Sequence, residues 1–436
     1  MRRNPGLVFG ALLEESGRDM GKVIFHVDVN SAFLSWTSVK MLREGSKVDL
    51  RKIPAAVGGD ESKRHGVVLA KSEEAKKYGI HTGESLFSAR KKCPFLEVVP
   101  PDFEWYVRNS KAMMEILSTY TPDVYQYSID EAFLDMTGME LLMGSPLESA
   151  NRLQNTIRDE LGFTVNIGIS SNFLLAKMAS DFEKPDKIHT LFLEEIQEKM
   201  WPLPVSNLFS VGRSARRELA KMGAHTIGDL ANLNREMLLR HLGIMGGTIW
   251  DYANGIESTP IAIREAKDKS YGSSMTTSEN LVRLQDANQL LLSLVETVAA
   301  RIRLDKKKVS VVSVNLVDSD FKKWSRQRSL GHNTDTTDEI YTAAKTLLAE
   351  AWNDNPIRLL GVSAGKAIDE SEDFEQMSLF QDEHSEKMKK LDKAVDSLRG
   401  KFGDQAVMRA SLLGERKGGL NTARMKKKRE EQKGNL

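Results

Sequence analysis

The order of the apolar patterns over residues 22–180 limits the folds available to this chain more than any other feature of its sequence. With residues 46–97 set aside, the patterns give strand, helix, strand, strand, helix, strand and helix, which is the order of a split βαβ unit. In such a unit the hairpin that begins near residue 124 lies beside the first strand, 22–29. We therefore expect residues that are about 100 positions apart to meet on neighbouring strands.

The elements of this unit have distinct sequence signals. Residues 22–29 predict a buried strand, and the alternation over residues 163–169 predicts a half-buried strand. Ser145 and Pro146 begin a capping box and so open a helix. Residues 46–97 are basic and contain several glycines, which is typical of a small insertion. The predicted core face of the helix after Ser145 consists of Leu147, Ala150, Leu153, Ile157 and Leu161.

The chain after the split unit divides into parts of different character. Residues 192–258 have helical patterns that are joined by short loops. Residues 259–269 lack a core pattern and are a linker candidate. Residues 270–366 predict a separate α+β unit, in which the helices cover about 284–304 and 336–352.

The composition changes sharply after residue 368. Residues 369–386 are acidic, whereas the last residues of the chain are basic. Charge runs of this kind predict mobile segments, although residues 387–413 keep a helical pattern.

The composition excludes several classes of protein. The 436 residues suggest about three domains, and 62 basic and 61 acidic side chains nearly cancel to a net charge of +1. Balanced charge does not exclude nucleic-acid binding, because the distribution of charge matters more than its sum. A single cysteine, Cys93, excludes an internal disulfide framework and a cysteine-rich zinc site. No apolar run suits a membrane span and no signal-peptide pattern is present, so we expect a cytoplasmic protein.

The predicted topology brings three carboxylates together. Asp28 ends the first strand, and Asp130 and Glu131 lie at the hairpin junction. Converging like charges raise one another's pKa unless cations bind between them, and two divalent ions would neutralise the set. Mg²⁺ suits a site of few carboxylates, a backbone carbonyl such as that of Val29, and substrate phosphates. The alternative is that these acids are ordinary strand-end and turn residues.

Lysines near these acids would favour a triphosphate ligand. Lys177 lies on the helix after residues 163–169, Lys184 comes just before Pro185, and Lys76 lies in the insertion. Ammonium groups act as point charges toward phosphates. Taken alone, each of these lysines is more often a solvated surface charge.

Five motifs stand out for their specificity. They are FHVDVNSAF (25–33), YSIDEAFLD (127–135), GISSNFLLAKMASDFEKPD (168–186), PVSNLFSVG (204–212) and SDFKKWSRQRSL (319–330). On these motifs the chain, from about residue 22 to residue 413, resembles the Y-family DNA polymerases, in the DNA polymerase IV (DinB) and UmuC-like group. SIDEAFLD, together with its upstream DVN partner, is the most specific signal.

The resemblance implies an α+β multidomain fold that forms a right hand. A ferredoxin-like palm would carry the metals, and small fingers would be inserted after its first strand. A helical thumb with a helix-hairpin-helix and an α+β little finger would follow. The implied boundaries are 22–33 and 98–191 for the palm, 34–97 for the fingers, 192–258 for the thumb, 259–269 for a linker, 270–368 for the little finger and 369–436 for a C-terminal tail.

The resemblance also implies the catalytic residues. Asp28, Asp130 and Glu131 would be the carboxylates that bind two Mg²⁺ ions, and Val29 would add its carbonyl. Glu131 would be the one nearest the attacking 3′-hydroxyl.

Three further residues would contact the nucleotide. Phe33 matches the steric gate, whose bulky ring would clash with a ribose 2′-hydroxyl; alternatively, it is a core residue of its helix. Lys184 matches the lysine of a K-P pair that contacts the triphosphate. Lys76 occupies a position usually held by arginine, and lysine orients phosphates less well than a bidentate arginine does.

The chain departs from the usual pattern of the family at three positions. Asn30 replaces the second aspartate of the D-x-D motif, and Glu73 stands where a triphosphate-contacting tyrosine is common. Phe173 replaces a frequent lysine. Together these departures suggest a UmuC-like or Gram-positive side branch. Because Asp28 is retained, we do not expect a loss of metal binding.

Two regions predict contacts with DNA. The helix-hairpin-helix at residues 204–223 would let Gly212 and Arg213 approach a phosphate at a helix N-terminus without reading the base sequence. In the little finger, one face of an alternating strand would follow the phosphate backbone, or else it is merely a solvated face. The basic residues of that strand are Lys322, Lys323, Arg326 and Arg328.

A short peptide in the acidic segment resembles the bacterial sliding-clamp binding motif. Gln376, Leu379 and Phe380 supply its glutamine and its two apolar anchors, which suit a preformed pocket when the peptide is extended. The basic tail beyond Arg424 would add weak, salt-sensitive affinity for DNA.

These signals together predict a template-directed, low-fidelity DNA polymerase that bypasses lesions. Its partners would be primer-template DNA, dNTPs and the sliding clamp, and the chain would act as a monomer, with accessory subunits as an open addition. The sequence has no second carboxylate cluster that would indicate a proofreading exonuclease. Two alternatives remain: a catalytically inactive DNA- and clamp-binding scaffold of the same fold, and a different palm enzyme such as a nucleotide cyclase.

Overall fold

The computed structural model describes residues 21–60, 64, 66–258, 269–373, 383–403 and 406–412. The chain divides into two units, Met1–Gly58 with Val68–Glu265 and Gly59–Val67 with Ala266–Leu436. The fold is mixed α+β in both. Within the described ranges, no helix combines the length and the apolar character that crossing a membrane requires.

The described part of the first unit contains two sheets. The larger has the strand order β5-β6-β1-β7-β8, and the smaller has the order β3-β2-β4. The strands are β1 (Ile24–Val29), β2 (Ala55–Gly58), β3 (Val68–Lys71), β4 (Glu97–Val99), β5 (Val124–Gln126), β6 (Glu131–Asp135), β7 (Val165–Ser170) and β8 (Ile188–Thr190).

The larger sheet confirms the expected arrangement of the split unit. β1 lies antiparallel between β6 and β7, so that the hairpin of β5 and β6 is beside the first strand. All six residues of β1 are buried. The smaller sheet falls entirely within residues 46–99, where the sequence indicated an insertion up to residue 97.

Helices cover the sheets and fill the remainder of the first unit. Those after β8 pack around one apolar core that includes Leu219, Leu230 and Ile249. The helices are α1 (Ala32–Arg43), α2 (Glu73–Lys77), α3 (Leu86–Lys92), α4 (Phe103–Leu117), α5 (Glu140–Met143), α6 (Pro146–Thr156), α7 (Phe173–Ser180), α8 (Arg213–Lys221), α9 (Ile227–Ala231), α10 (Arg235–Leu242) and α11 (Ile244–Ala253).

The prediction that residues 163–169 form a half-buried strand is wrong. Every residue of β7, including the polar Asn166 and Ser170, is buried. Helix α7 packs so closely on this strand that a Cβ atom at Gly168 would come within 2.0 Å of the carbonyl oxygen of Ala176. The polar side chains of β7 therefore face internal partners rather than water.

The capping box of α6 is confirmed, but its predicted core face is only partly right. The Ser145 N–H donates to Glu148 Oε2 over 2.9 Å, and the Glu148 N–H donates back to Ser145 Oγ over 3.4 Å. Ala150, Leu153 and Ile157 are buried as expected. Leu147, by contrast, is 54% exposed, and Leu161 is half-buried.

The segment expected to form a helix-hairpin-helix has only one full helix. Before the hairpin the chain makes a single 3₁₀ turn, Val205–Asn207, and Ser210 then adopts a positive φ of 71°. Gly212 directly precedes α8 as its N-cap residue.

In the described part of the second unit, the main sheet has four antiparallel strands in the order β11-β10-β12-β9, and β13 pairs with the start of β10. Its apolar core lies between this sheet and two helices, whose observed bounds agree closely with the predicted ones. The elements are β9 (Ser270–Leu281), α12 (Leu284–Leu304), β10 (Lys307–Asp318), β11 (Lys323–Thr334), α13 (Thr337–Ala351), β12 (Ile357–Gly365), β13 (Ile368–Asp369) and α14 (Glu383–Phe402).

The described part of the predicted C-terminal tail, 369–436, is not detached from the second unit. Helix α14 is joined to α12 by ion pairs, in which Arg303 lies 3.1 Å from Asp392 and 2.7 Å from Asp396. The Thr337 N–H also donates to Asp392 over 2.8 Å. Asp392 and Asp396 therefore have specific partners on the body of the unit.

Two predictions concern residues outside the described ranges. The clamp-binding peptide with Gln376, Leu379 and Phe380 lies there, and so do residues 259–268 of the linker candidate.

Candidate active site

The three predicted carboxylates meet at one end of the larger sheet. Asp28 stands directly opposite Glu131 in the register of β1 and β6. The Val29 N–H donates to the backbone carbonyl of Asp130 over 3.1 Å, which fixes Asp130 beside the end of β1. The structure thus brings together residues that only the predicted topology had connected.

Each carboxylate has a polar partner. Asp28 pairs with Lys184, whose ammonium group also lies 2.8 Å from Asp181. Glu131 lies 3.0 Å from the ammonium of Lys177, a lysine that is itself buried. The carboxylate of Asp130 accepts a hydrogen bond from Ser128 Oγ over 2.6 Å.

The pKa values of the pair formed by Asp28 and Lys184 reflect the crowding of charge. Burial raises the pKa of Asp28 from 3.8 to about 6; the charge of Lys184 opposes this rise, and the charge of Glu131 adds to it. Burial lowers the pKa of Lys184, but the negative charges of Asp28 and Asp181 outweigh burial and raise it above its ordinary value. The site therefore holds negative charge that favours a cation.

The oxygen ligands of the site fit hard divalent cations, although the side chains are not yet arranged around a common metal position. Among the described residues, no three His, Cys, Asp or Glu side chains are already grouped as metal ligands. Asp28 and Glu131 instead face lysines, which supply positive charge at the positions where a cation would bind. Three carboxylates beside a backbone carbonyl are the oxygen ligands that Mg²⁺ prefers, so the chemistry of the residues fits this ion.

A cavity of about 200 Å³ opens next to the carboxylates. It contains the start of α1, and Ser31, which precedes this helix, makes no side-chain capping bond. The first N–H groups of a helix have no partner within the helix and attract anions. The cavity is lined by Val29, Ser31, Ala32, Phe33, Leu69, Ala70, Lys71, Thr82 and Asp130.

Phe33 both lines the cavity and packs in an aromatic cluster. Its ring stacks on Tyr106, with the centroids 4.7 Å apart and the planes inclined by 13°. It also contacts Trp36 and Phe103, each at 6.1 Å between centroids. Packing on these rings holds the side chain of Phe33 in a fixed position at the cavity wall.

Of the two lysines predicted to contact a triphosphate, only Lys184 lies at the carboxylates. Lys76 is 60% exposed, pairs with Glu73 over 3.3 Å and does not line the cavity. Lys71, at the end of β3, lines the cavity instead, and its ammonium has no hydrogen bond or ion pair within the part of the chain that the structure describes. The sequence reasoning missed Lys71, although its position directly after the apolar run Val68–Ala70 was a usable signal.

The predicted phosphate contacts of the helix-hairpin-helix are exposed. Gly212 and Arg213 lie at the N-terminus of α8, and Arg216 and Arg217 are also exposed on this helix. A Cβ atom at Gly212 would meet no atom within 4 Å, so the backbone there is open to a ligand.

The basic residues near β11 do not share one face of the strand. Arg326 and Arg328 stand opposite Val314 and Val312, on the side of the sheet that packs against the helices, whereas Lys323 faces the other side. Arg328 pairs with Glu350 of α13 over 2.6 Å. Lys322 precedes the strand and belongs to the turn. The alternation was right, but the four cations divide between the two faces and the turn because side chains alternate along a strand.

Comparison with known proteins assigns the chain to a family. The model of the impB/mucB/samB family matches residues 27–181, and the model of the C-terminal domain of that family matches residues 268–379. DNA polymerase IV of Clostridium acetobutylicum is 46% identical over 394 residues, which are 90% of this chain and 99% of the relative. DNA polymerase IV 2 of Bacillus subtilis is 36% identical over 90% of this chain and 95% of its own length.

A solved structure agrees at the level of the fold. A Y-family DNA polymerase chimera matches 80% of this chain and 99% of its own, with a TM-score of 0.68 and 21% sequence identity. The relatives with high sequence identity carry the name DNA polymerase IV rather than a UmuC-type name. The chain therefore belongs to the impB/mucB/samB family of Y-family DNA polymerases, in its DNA polymerase IV (DinB) group.

Proposed function

We propose that this protein is a template-directed, low-fidelity DNA polymerase that performs translesion synthesis from dNTPs without proofreading. The observation that carries the proposal is that Asp28 stands opposite Glu131 on neighbouring strands, while the adjacent Asp130 lines the cavity. The family membership supports the same activity, because the relatives at 46% and 36% identity are named DNA polymerase IV.

Two Mg²⁺ ions would be held by Asp28, Asp130 and Glu131 together with the carbonyl of Val29. When bound, such ions lower the pKa of an attacking hydroxyl and stabilise the charge of the leaving group. Glu131 would lie nearest the primer 3′-hydroxyl. The chain itself contributes the oxygen ligands at fixed strand ends, where the register of β1 and β6 sets their spacing.

The remaining residues of the site would bind and select the nucleotide. Lys184 would exchange its bond to Asp28 for bonds to the triphosphate, and the N–H groups in the first turn of α1 would donate to phosphate oxygens. Phe33, held by its stacking on Tyr106, would exclude a ribose 2′-hydroxyl and so favour dNTPs. Lys76 is a weaker candidate for a phosphate contact because it is exposed and already paired.

We further propose the domain roles that the family pattern implies. Residues 22–33 and 98–191 would form the palm, 34–97 the fingers, 192–258 the thumb and 270–368 the little finger. The small β3-β2-β4 sheet would grip the nascent base pair loosely, and low fidelity would follow from this.

DNA would be held at Gly212 and Arg213 and by the cations near β11, and the peptide with Gln376, Leu379 and Phe380 would bind the sliding clamp. The chain would act as a monomer in the cytoplasm, where DNA and dNTPs are available.

Primer extension with the purified full chain tests the proposal. On undamaged and lesion-bearing templates with Mg²⁺ and dNTPs, we expect extension past the lesion by the wild type. Asp130→Asn and Glu131→Gln should each reduce incorporation by at least about a thousandfold while DNA binding is kept, because neutral amides hold Mg²⁺ poorly. Exposed Asp159→Asn is the matched control. Full activity of the two site variants would contradict the metal assignment, and an inactive wild type supplied with clamp would contradict the proposed activity.

A further inference from the structure

Asn30, which stands where the second aspartate of a D-x-D motif is usual, is part of a buried network next to the carboxylates. Its side chain is 7% exposed. Asn30 Oδ1 accepts hydrogen bonds from the Asp186 N–H over 2.9 Å and from the Thr164 hydroxyl over 3.0 Å. Its Nδ2 donates to Asn166 Oδ1 over 3.0 Å. Asn30 thus links the end of β1 to the segment 181–187, which carries Lys184.

Backbone groups fix the orientation of both amides. Asn166 Nδ2 donates to the carbonyls of Ser180 (3.0 Å) and Glu183 (2.7 Å), which can only accept. Asn166 Oδ1 must therefore face Asn30, and it also accepts from the Lys187 N–H over 3.2 Å. In turn, the Asp186 N–H can only donate, so Oδ1 of Asn30 faces Asp186 and Nδ2 faces Asn166.

An aspartate would not fit this network at position 30. One of its oxygens would face Asn166 Oδ1, so that two acceptors would meet at hydrogen-bond distance. Turning the Asn166 amide to supply a donor would break its bonds to Ser180 and Glu183. A buried polar group left without a partner costs more than the loss of an average hydrogen bond. The departure from D-x-D is therefore suited to the neighbours that this chain provides.

We propose that Asn30 is a positioning residue: together with Asn166, it anchors the segment 181–187 so that Lys184 is held at Asp28. Arg158 supports the same segment from outside, with two bonds of 2.8 and 2.7 Å to Asp186. Asn30 acts through Lys184 and does not itself contact the nucleotide. Its expected effect on dNTP binding rests on the function proposed above.

Single-nucleotide incorporation by the full chain tests this role. Asn30→Asp should raise the KM for dNTP about tenfold, the equivalent of one lost buried hydrogen bond, with a smaller effect on kcat. In a Lys184→Ala background the same substitution should change KM by less than about twofold, because the group that it misplaces is already absent. A residue that only stabilises the fold would lower the active fraction, and hence kcat, without this dependence on Lys184.

Gln154→Leu provides the matched control. Gln154 is also a buried amide that bonds β7, through the carbonyl of Val165 at 3.0 Å, and it has no bond to the segment 181–187. We expect a lower Tm and an unchanged KM for dNTP. If Asn30→Asp does not fold, Thr164→Val removes one bond to Asn30 Oδ1 without burying a charge, and KM should rise about twofold to threefold.

The outcomes separate the two proposals. An unchanged KM for dNTP in both Asn30→Asp and Thr164→Val would overturn the positioning role while the polymerase function stands. The same holds if the increase in KM of the double variant Asn30→Asp, Lys184→Ala equals the product of the increases of the two single variants. Absence of incorporation by the wild type would instead overturn the proposed function.

Discussion

Burial opposes the negative charge of Asp28. Burial raises its pKa from 3.8 to about 6 in spite of the nearby Lys184. The folded state consequently holds a proton on Asp28 at pH values at which the unfolded chain has released it. In the metal-free protein, the contribution of Asp28 to stability is fully present below about pH 4 and is lost as the pH rises through about 6.

We predict that Asp28→Asn removes this part of the pH dependence. Between about pH 4 and pH 6, the free energy of unfolding of the wild type should fall relative to that of Asp28→Asn by at most about 3 kcal/mol, which corresponds to a shift of about two pKa units. Urea unfolding in EDTA at pH 4 to 8 measures the difference. Asp159→Asn, on the surface, should leave the wild-type profile unchanged. Parallel profiles for wild type and Asp28→Asn would refute the assignment.

Lys71 and Lys76 offer a second test at the residue scale. Both are lysines of the small insertion, but only Lys71 lines the cavity, whereas Lys76 forms an exposed pair with Glu73. We predict that Lys71→Ala raises the KM for dNTP about tenfold and that Lys76→Ala changes it by less than about twofold, since exposed pairs contribute little. Steady-state incorporation assays measure both values of KM. Equal increases in the two variants would contradict the assignment of the phosphate contact to the cavity residue Lys71.

Among the elements, β7 shows that alternation of polar and apolar residues indicates a strand but does not establish that its polar side is exposed to solvent. The polar residues Asn166 and Ser170 alternate with apolar ones, so the pattern indicated one solvent-facing side. In the structure, α7 covers that side and internal acceptors satisfy the polar groups. Periodicity gives the strand and its place in the split unit, because both depend on local spacing. It cannot show that a polar side chain has a partner contributed by a distant segment.

The close packing of α7 on β7 leads to a prediction at the element scale. We expect Gly168→Ala to destabilise the first unit by about 3 kcal/mol or more, because the new Cβ would meet the backbone of Ala176 and not a side chain that can move. Gly365→Ala is the matched control, since a Cβ at that strand position meets no atom within 4 Å. Thermal unfolding of both variants measures the effect, and similar Tm values would contradict the packing of α7.

At the scale of the whole molecule, the sum of charges hides how the charges are paired. The acidic run over residues 369–386 and the basic end of the chain led to the expectation of mobile segments, while residues 387–413 kept a helical pattern. In the second unit, however, Arg399 lies 3.1 Å and Arg409 lies 2.7 Å from the buried Glu296 of α12. Composition counts charges without their partners. The apolar spacing could identify the helical pattern of residues 387–413 but not the surface to which the helix is attached. The carboxylate site could be predicted because its motifs and the strand order gave the same answer.

The ionic attachment of α14 leads to a prediction at the scale of the whole molecule. Arg303 is nearly buried and bridges Asp392 and Asp396. Its loss leaves Asp396 without its cation and leaves Asp392 with only the longer, 3.5 Å pair to Arg409. Removing one partner of a buried pair typically costs about 3 to 5 kcal/mol. We predict that Arg303→Leu releases α14, so that hydrogen exchange over residues 386–402 accelerates while β9 to β12 stay protected.

Arg328→Leu, which breaks only the exposed pair with Glu350, should cost no more than about 1 kcal/mol and leave the exchange of α14 unchanged. Raising the salt concentration should weaken this exposed pair but not the buried one, since screening acts mainly on charges in contact with water. Unchanged protection of α14 in Arg303→Leu would mean that other contacts, such as the pair of Arg399 with Glu296, are enough to hold the helix.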